Sequence, residues 1–181
     1  TELRAIALAD QRRLRERTRL ACGLAVLDGL EVVYLERLPG YEGAGWGSSH
    51  LSPAAGSRLP AHRTAAGKVL LAYLPQAERA RILEPITSDR HGLLGDEARR
   101  LLCEQFQGIV DDGIAVNDGE STPGILAISA PVRDDSGEVI AALNLIASRG
   151  GMSIGALLDR HGSALAQAAQ RISARLGHSP P

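Results

Sequence analysis

The sequence predicts an α+β fold in which helices pack on an antiparallel sheet. A helical pattern opens the chain, two hairpin-linked strands follow it, and a group of helices separates them from further strands and a long terminal helix. Hairpin-linked strands grouped in this way favour an antiparallel sheet over a doubly wound parallel one, in which strands and helices alternate. The 181 residues are enough for one well-packed domain.

The first elements are a helix and a hairpin. Apolar residues at helical spacing predict an amphipathic helix over residues 3–18, with arginines crowding its remaining surface. Two strand-like runs, 20–27 and 31–37, flank the dipeptide Asp28-Gly29, which favours a tight hairpin turn because its residues tolerate positive φ. Residues 38–57 then form a long glycine-rich connection, of a kind that is often functional.

Three helices are predicted in the middle of the chain. Thr64 is a suitable N-cap for a helix over 64–74, and Pro75 separates that helix from another over 76–83. Residues 96–113 contain a third helix, whose apolar face is predicted to comprise Ala98, Leu101, Leu102, Phe106 and Ile109.

The last part of the chain returns to strands. Runs 114–117, 125–133 and 139–147 have strand-like composition, and a tight turn joins the last two. A long helix is predicted to start near Ser153, because the apolar residues after it follow the helical period.

Charge and cysteine usage exclude several classes of protein. The chain has 20 basic and 21 acidic residues, so no field of the whole domain would attract it to nucleic acid or to an acidic membrane. Cys22 and Cys103 form no CxxC motif and fit a reducing compartment. The longest apolar run is too short to span a bilayer. We therefore expect a cytoplasmic protein without membrane contact, in which any DNA would be bound by another segment.

No enzymatic motif is complete. Gly67-Lys68 suggests a phosphate loop, but His62 stands where that motif needs its first glycine, and Val69 stands where it needs serine or threonine. The glycine-rich stretch 43–49 matches neither the dinucleotide fingerprint nor the nucleophile elbow. The five histidines show no metal-ligand spacing. We therefore predict no enzyme activity, no cofactor and no metal.

The strands present an apolar surface with a few polar groups inserted. Ile125, Ala127 and Ser129 share one face of their strand, and Asn144 and Ile146 share one face of another, because side chains alternate along a strand. A buried asparagine is costly unless it is hydrogen-bonded, either within the protein or to a ligand. Both interpretations of Asn144 stay open at this point.

Two motifs resemble those of a known family. The stretch LPAHRTAAGKVLLAYLP, residues 59–75, is similar to L-P-x-H-x-x-A-x-G-K-x-x-L-A, and DGIAVNDGESTPGILAISAPVRDDSGEVIAALNLIAS, residues 112–148, is similar to an acidic turn followed by I-A-A-P-V-x-D-x-x-G-x-x-x-A-A-x-S. The chain thus resembles the C-terminal effector-binding domain of IclR-type bacterial transcriptional regulators. The resemblance implies a GAF-like α/β fold with a curved, mainly antiparallel sheet. It also implies that residues 1–19 form an interdomain linker helix and 20–181 the effector-binding domain, with the N-terminal winged helix-turn-helix domain absent from this chain.

The resemblance implies a ligand sensor and a site for its ligand. A small organic metabolite would bind where the L-P-x-H turn and the following helix face the strands, and Trp46 or Leu51 could cover the mouth. The implied effector-binding residues are Leu59, Ala65 and Ala66 in one wall, Ile125 and Ala127 in another, and Asn117, Asn144 and Ile146 at the polar contacts. Asn117 stands where the family has aspartate, which indicates a different effector.

The resemblance also implies how the domain would act. It would form a homodimer or homotetramer, and ligand binding would shift the arrangement of DNA-binding heads that contact operator DNA through the absent domain. The alternative is a GAF-like enzyme or a purely structural interaction module. Lys68 would lie beyond the pocket wall, as a structural or interface residue.

Overall fold

Over the residues that the structure describes, the fold is built on one six-stranded antiparallel sheet. A computed structural model describes residues 2–41, 54–86 and 96–179. The strand order is β3-β2-β1-β6-β5-β4, and each neighbouring pair is antiparallel. The strands are β1 (Ala21–Asp28), β2 (Glu31–Leu38), β3 (Arg58–Pro60), β4 (Ala115–Asp118), β5 (Ile125–Arg133) and β6 (Val139–Ser148). The predicted α+β class with a curved, antiparallel sheet is confirmed.

Helices cover both faces of the sheet. They are α1 (Glu2–Thr18), α2 (Ala65–Ala72), α3 (Gln76–Leu83), α4 (Asp96–Asp112) and α5 (Ile154–Arg175), and a single 3₁₀ turn (Ala61–Arg63) precedes α2. One face packs against α1 and α5, and the other packs against α2, on which α4 lies. Within the described ranges, no helix is both long and apolar enough to cross a membrane.

The alternation of side chains divides the core into two layers. In β6, Leu143 and Leu145 pack with α1 and α5, whereas Ala142 packs with the residues of α2. Because side chains of one strand alternate between faces, the neighbouring Asn144 and Ile146 lie on the α2 face. The functional candidates on the strands therefore share the side of the sheet that α2 covers.

The first hairpin is confirmed, with its turn one residue later than predicted. Asp28 pairs with Glu31, so Gly29 and Leu30 form the turn, and Gly29 takes the positive φ of 60° that such turns require.

Two details differ from the prediction. The three-residue strand β3 pairs with the edge of β2 and was not predicted, because so short a strand has no alternation and contains Pro60. Leu101 was assigned to the buried face of α4 but is 46% exposed. The helix buries only a narrow stripe, since it packs on α2 rather than on the whole sheet.

The start of α2 explains the small residues of the first motif. The Oγ1 atom of Thr64 accepts a hydrogen bond from the backbone N–H of Gly67 at 3.0 Å, so the predicted N-cap is confirmed. A Cβ atom at Gly67 would lie 2.1 Å from the carbonyl oxygen of Ala61. Gly67 is therefore needed for α2 to pack against the preceding 3₁₀ turn.

Candidate functional site

A cavity of about 110 Å³ lies between the N-terminus of α2 and the sheet. It contains seven of the eight residues that the sequence predicted for effector binding, and these lie on five different elements or their ends. They are Leu59, Ala65, Asn117, Ile125, Ala127, Asn144 and Ile146.

The eighth predicted residue, Ala66, lies outside the cavity. It is fully buried and packs in the core formed by α2, α4 and the sheet. Successive residues of a helix point about 100° apart, so Ala65 faces the cavity while its neighbour faces away. Trp46 and Leu51, the predicted covers of the mouth, lie outside the described residues.

Strand register brings the cavity residues together. Ile146 is paired with Ala127, which is paired with Asn117, so these residues form one row across three strands. Asn144 lies in the next row, opposite Gly23 of β1. Paired positions on one face lie about 5 Å apart, which places both rows within the span of a small ligand.

Gly23 leaves room for polar side chains above β1. A Cβ atom at this position would lie 2.3 Å from Oδ1 of Asn144 and 3.0 Å from the ring of Tyr34. Both side chains therefore occupy the space that any other residue at position 23 would need.

Asn144 is only partly satisfied by the protein. It is 2% exposed, and its Nδ2 donates a hydrogen bond to the Tyr34 hydroxyl at 3.1 Å. Its Oδ1 is buried and has no hydrogen-bond partner within the described part of the chain. Burial raises the pKa of Tyr34, so its hydroxyl remains protonated at neutral pH.

Asn117 is fully engaged by the protein. Its Nδ2 donates to the backbone oxygen of Arg63 at 2.7 Å and to Oγ of Ser121 at 2.9 Å, and its Oδ1 accepts from the backbone N–H of Glu120 at 2.9 Å. These bonds hold the turn that follows β4. The two asparagines predicted as ligand contacts thus have different capacities for a ligand.

Lys68 also holds the turn that follows β4. Its Nζ lies 2.6 Å from both carboxylate oxygens of Glu120 and 3.5 Å from the backbone oxygen of Val116. Arg63 also donates to the backbone oxygen of Glu120, at 2.9 Å from Nε. The lysine that suggested a phosphate loop is a buried structural residue and does not line the cavity.

Five further residues line the cavity and were missing from the sequence-based set: Tyr34, Arg37, Thr64, Ser121 and Thr122. Arg37 is the only charged residue among the described lining residues. Its guanidinium stacks on the ring of Tyr34, 4.5 Å from the centroid. Burial lowers the pKa of Arg37, and interaction with Tyr34 opposes that effect.

A β-bulge explains why Arg37 was missed. Residues three apart on a regular strand face opposite sides, which would separate Tyr34 from Arg37. Here Leu24 pairs with Glu36 but Ala25 pairs with Tyr34, so Leu35 is an extra residue in β2. The bulge shifts the alternation, and both side chains reach the cavity.

The lining chemistry suits binding rather than catalysis. No cysteine, histidine or carboxylate is among the described residues that line the cavity, so no nucleophile and base meet there. His62 is buried in the 3₁₀ turn, outside the cavity. The described residues also contain no group of three or more potential metal ligands.

A larger groove of about 710 Å³ runs along α5 near the end of β5. Two of its polar residues are engaged within the protein: the backbone N–H of Arg133 donates to Oγ of Ser173, and the Arg133 guanidinium donates to the backbone oxygen of Gly137. None of the predicted site residues lines it. The smaller cavity, with its buried unpartnered acceptor, is therefore the better candidate for a specific site.

Comparison with known proteins identifies the family. Residues 1–174 match the profile of the bacterial transcriptional regulator IclR C-terminal domain. The chain is 34% identical over 132 residues to the HTH-type transcriptional regulator XynR of Escherichia coli, covering 73% of this chain and 50% of that protein. It spans about half the length of the curated relatives it matches first.

Solved structures agree in fold. The C-terminal domain of the E. coli transcriptional regulator KdgR has a TM-score of 0.80 and 27% identity, covering 98% of this chain and 100% of that one. An IclR homolog from Microbacterium hydrocarbonoxydans, solved in complex with 4-hydroxybenzoate, has a TM-score of 0.78 and 28% identity, covering 98% of this chain and 69% of that one.

The relatives are named as transcriptional regulators, which supports the prediction that the chain is not an enzyme. The family profile covers the chain from the first helix almost to the end of the last. The chain therefore belongs to the IclR family of bacterial transcriptional regulators, as their C-terminal effector-binding domain.

Proposed function

We propose that this domain senses a small organic anion in the cavity between α2 and the sheet. The observation that carries the proposal is Arg37, a partly buried cation in a cavity whose other described lining residues are neutral. A carboxylate is the ligand group that a guanidinium binds most favourably. The N-terminus of α2, at Thr64 and Ala65, adds the positive end of a helix dipole to the same cavity.

The size of the cavity limits the effector. A cavity of roughly 150 Å³ holds benzene, so the space of about 110 Å³ here fits a ligand of similar or smaller size. Apolar walls from Ile125, Ala127 and Ile146 would contact its carbon skeleton. The proposed effector is thus a compact organic acid of about six non-hydrogen atoms or fewer.

The β2 bulge supports a route from the ligand to α1. Arg37 lines the cavity, and the adjacent Glu36 accepts a hydrogen bond from Nε of Arg4 in α1 at 2.8 Å. A ligand that repositions Arg37 would therefore act on a strand that also holds the first turns of α1. Ligand binding shifts a conformational equilibrium only through different affinities for its two states.

We further propose that the domain forms a homodimer or homotetramer in the cytoplasm. In that assembly, residues 1–19, which include α1, would link the sensor to DNA-binding heads whose arrangement on operator DNA the ligand changes. Symmetric operators and paired heads make a homo-oligomer the natural assembly. Sedimentation at micromolar concentration tests the oligomeric state, and a monomer would contradict it. Spin labels on α1 of neighbouring subunits should change separation when ligand binds.

Calorimetric titration with acetate, propionate, glycolate and lactate tests the binding proposal. Each acid is compared with an uncharged amide of the same shape, such as propionamide against propionate. At least one acid should bind, and its amide should bind at least tenfold more weakly. If no acid binds, or if amides bind equally well, the anion proposal is wrong.

A cavity-filling variant locates the site. Ala127→Leu places a larger side chain in the cavity wall, so it should weaken acid binding at least tenfold. Ala174→Leu is the matched control, because Ala174 is exposed on α5 and lies away from this cavity. Equal binding by wild type and Ala127→Leu would place the site elsewhere.

A further inference from the structure

Charge is distributed unevenly over the fold. Helices α1 and α5 together carry eight arginines and four acidic residues, whereas the rest of the chain carries 12 basic and 17 acidic residues. The net charge of −1 for the whole chain therefore conceals a basic layer formed by α1 and α5. A local concentration of basic side chains attracts an anionic partner even when the domain as a whole does not.

One end of the contact between α1 and α5 is organised by a buried carboxylate. Asp10 is fully buried, and its two oxygen atoms lie 2.9 Å from Nε of Arg171 and 3.4 Å from Nε of Arg175. Both arginine side chains remain nearly half exposed, and the described residues accept no hydrogen bond from their terminal nitrogens. Because one carboxylate faces two guanidiniums, a positive charge and several donors stay available for an external anion.

The other end of the contact carries arginines without ion pairs. Partial burial lowers the pKa of His161, and the charges of Arg160 and Arg17 lower it further, so both arginines lie close to this histidine. Arg13 lies one turn before Arg17 on the same side of α1. These three arginines are exposed, and none forms an ion pair within the described part of the chain. We define the basic face by five arginines: Arg13, Arg17, Arg160, Arg171 and Arg175.

The dimensions and composition of the basic face suit the backbone of duplex DNA. From Arg160 to Arg175 the axis of α5 advances about 22 Å, which is roughly two-thirds of one turn of B-DNA. Leu158 is the one exposed large hydrophobic residue of α1 and α5, and it lies about 160° around the helix from Arg160. A protein partner would need an apolar core in the interface, whereas phosphates need only basic groups.

We propose that the basic face binds the phosphate backbone of duplex DNA without sequence preference, as a second contact beside that of the DNA-binding heads. The choice of DNA rests on the proposed function, in which residues 1–19 link the sensor to those heads. Arg13 and Arg17 belong to that link, so the face lies next to the DNA that the heads hold. Contacts to phosphate add affinity and position the domain, while base contacts by the heads determine the sequence.

Fluorescence anisotropy of a labelled duplex tests the proposal on this chain by itself. At about 25 mM salt the chain should bind two unrelated sequences equally, and each neutralised phosphate should contribute about −0.9 to the slope of log affinity against log salt. No binding at low salt, or a slope near zero, would overturn the proposal. Polyglutamate serves as competitor: if it displaces the duplex at an equal concentration of charge, the face fits an acidic protein and the assignment to DNA is wrong.

A double variant assigns the binding to the basic face. Arg17→Gln combined with Arg160→Gln removes two exposed charges and relieves their repulsion, so the domain should stay folded. Affinity for the duplex should fall at least tenfold, and the salt slope should flatten by about 1.8.

The matched control makes the same change of charge on the other side of the sheet. Arg81→Gln combined with Arg100→Gln alters exposed residues of α3 and α4, which pack with α2. This variant should bind the duplex within about twofold of the wild type, because phosphates contact only the basic face. An equal loss in both double variants would show that binding follows net charge alone, and the basic face would lose its role.

Failure of this inference is distinguishable from failure of the proposed function. Acid binding is measured by calorimetry at a cavity on the opposite face of the sheet. If an acid binds and the duplex does not, the sensor stands and the DNA contact is wrong. If the duplex binds as expected and no acid does, the anion site is wrong and the basic face stands.

Discussion

Replacing Glu120 by alanine should destabilise the domain more than replacing Lys68 by methionine. The two side chains form one ion pair, but the Lys68 side chain is 3% exposed and the Glu120 side chain is 41% exposed. Removal of the carboxylate leaves a buried ammonium group whose one remaining contact among the described residues is the backbone oxygen of Val116, 3.5 Å away. Removal of the lysine leaves a carboxylate that water already reaches.

The expected magnitudes follow from that asymmetry. Breaking a buried ion pair and stranding one charge costs about 3–5 kcal/mol. The partial exposure of Glu120 favours the lower end, so Glu120→Ala should lower the free energy of unfolding by about 3 kcal/mol. Lys68→Met preserves most of the side-chain volume and strands only the hydrated carboxylate, so its cost should be about 1 kcal/mol.

Urea denaturation of the wild type, Glu120→Ala and Lys68→Met measures both effects. The midpoint should decrease in both variants at an unchanged m-value, which indicates a change of stability rather than of denatured-state compactness. Glu104→Ala is the matched control, since Glu104 pairs with Arg100 on the surface and both side chains are about 60% exposed. It should cost no more than about 0.5 kcal/mol. A Lys68→Met cost equal to or above that of Glu120→Ala would refute the argument from burial.

Two further predictions concern titratable groups. Burial raises the pKa of Cys22 to about 12, so a thiol reagent at pH 8 should modify only the exposed Cys103, and a second fast-reacting thiol in the folded protein would contradict this. Partial burial, and then the charges of Arg160 and Arg17, lower the pKa of His161 below its ordinary 6.5. As the pH falls, the unfolded chain therefore binds a proton at this histidine before the folded chain does. The stability contributed by neutral His161 should therefore decrease as the pH drops below 6.5. The midpoint of its NMR titration should lie below 6.5 and should rise in Arg160→Gln. A wild-type midpoint at or above 6.5 would refute the shift.

Much of the site was predictable because it depends on local periodicity. The alternation rule placed Ile125 with Ala127 and Asn144 with Ile146, and the observed register joins the two pairs through Ala127 and Ile146. Thr64 is recognisable as an N-cap from its own side chain and the helix that follows. These features depend only on a few neighbouring residues, so they can be predicted from the sequence.

The position of Arg37 in the cavity lining could not be predicted, because it depends on contacts between residues distant in sequence. On the local pattern of β2, Arg37 and Tyr34 belong to opposite faces, and only the pairing with β1 reveals the extra residue between them. Glycine at position 23 was a possible signal, because a glycine inside a strand often marks a bulge or the close approach of other groups. Here Asn144 and Tyr34 are the groups that approach it.

The difference between Asn117 and Asn144 shows why a buried polar residue does not by itself define a binding site. Both are buried, both lie on strands, and both line the cavity. Asn117 is hydrogen-bonded on one side to Glu120 and Ser121, which belong to the turn after β4. On the other side it is hydrogen-bonded to the backbone oxygen of Arg63, in the 3₁₀ turn. Asn144 has neighbouring strands on both sides, and among the described residues its side chain forms one hydrogen bond, which Nδ2 donates to the Tyr34 hydroxyl. The hydrogen-bonding capacity that a buried asparagine keeps is therefore set by tertiary contacts rather than by residue type.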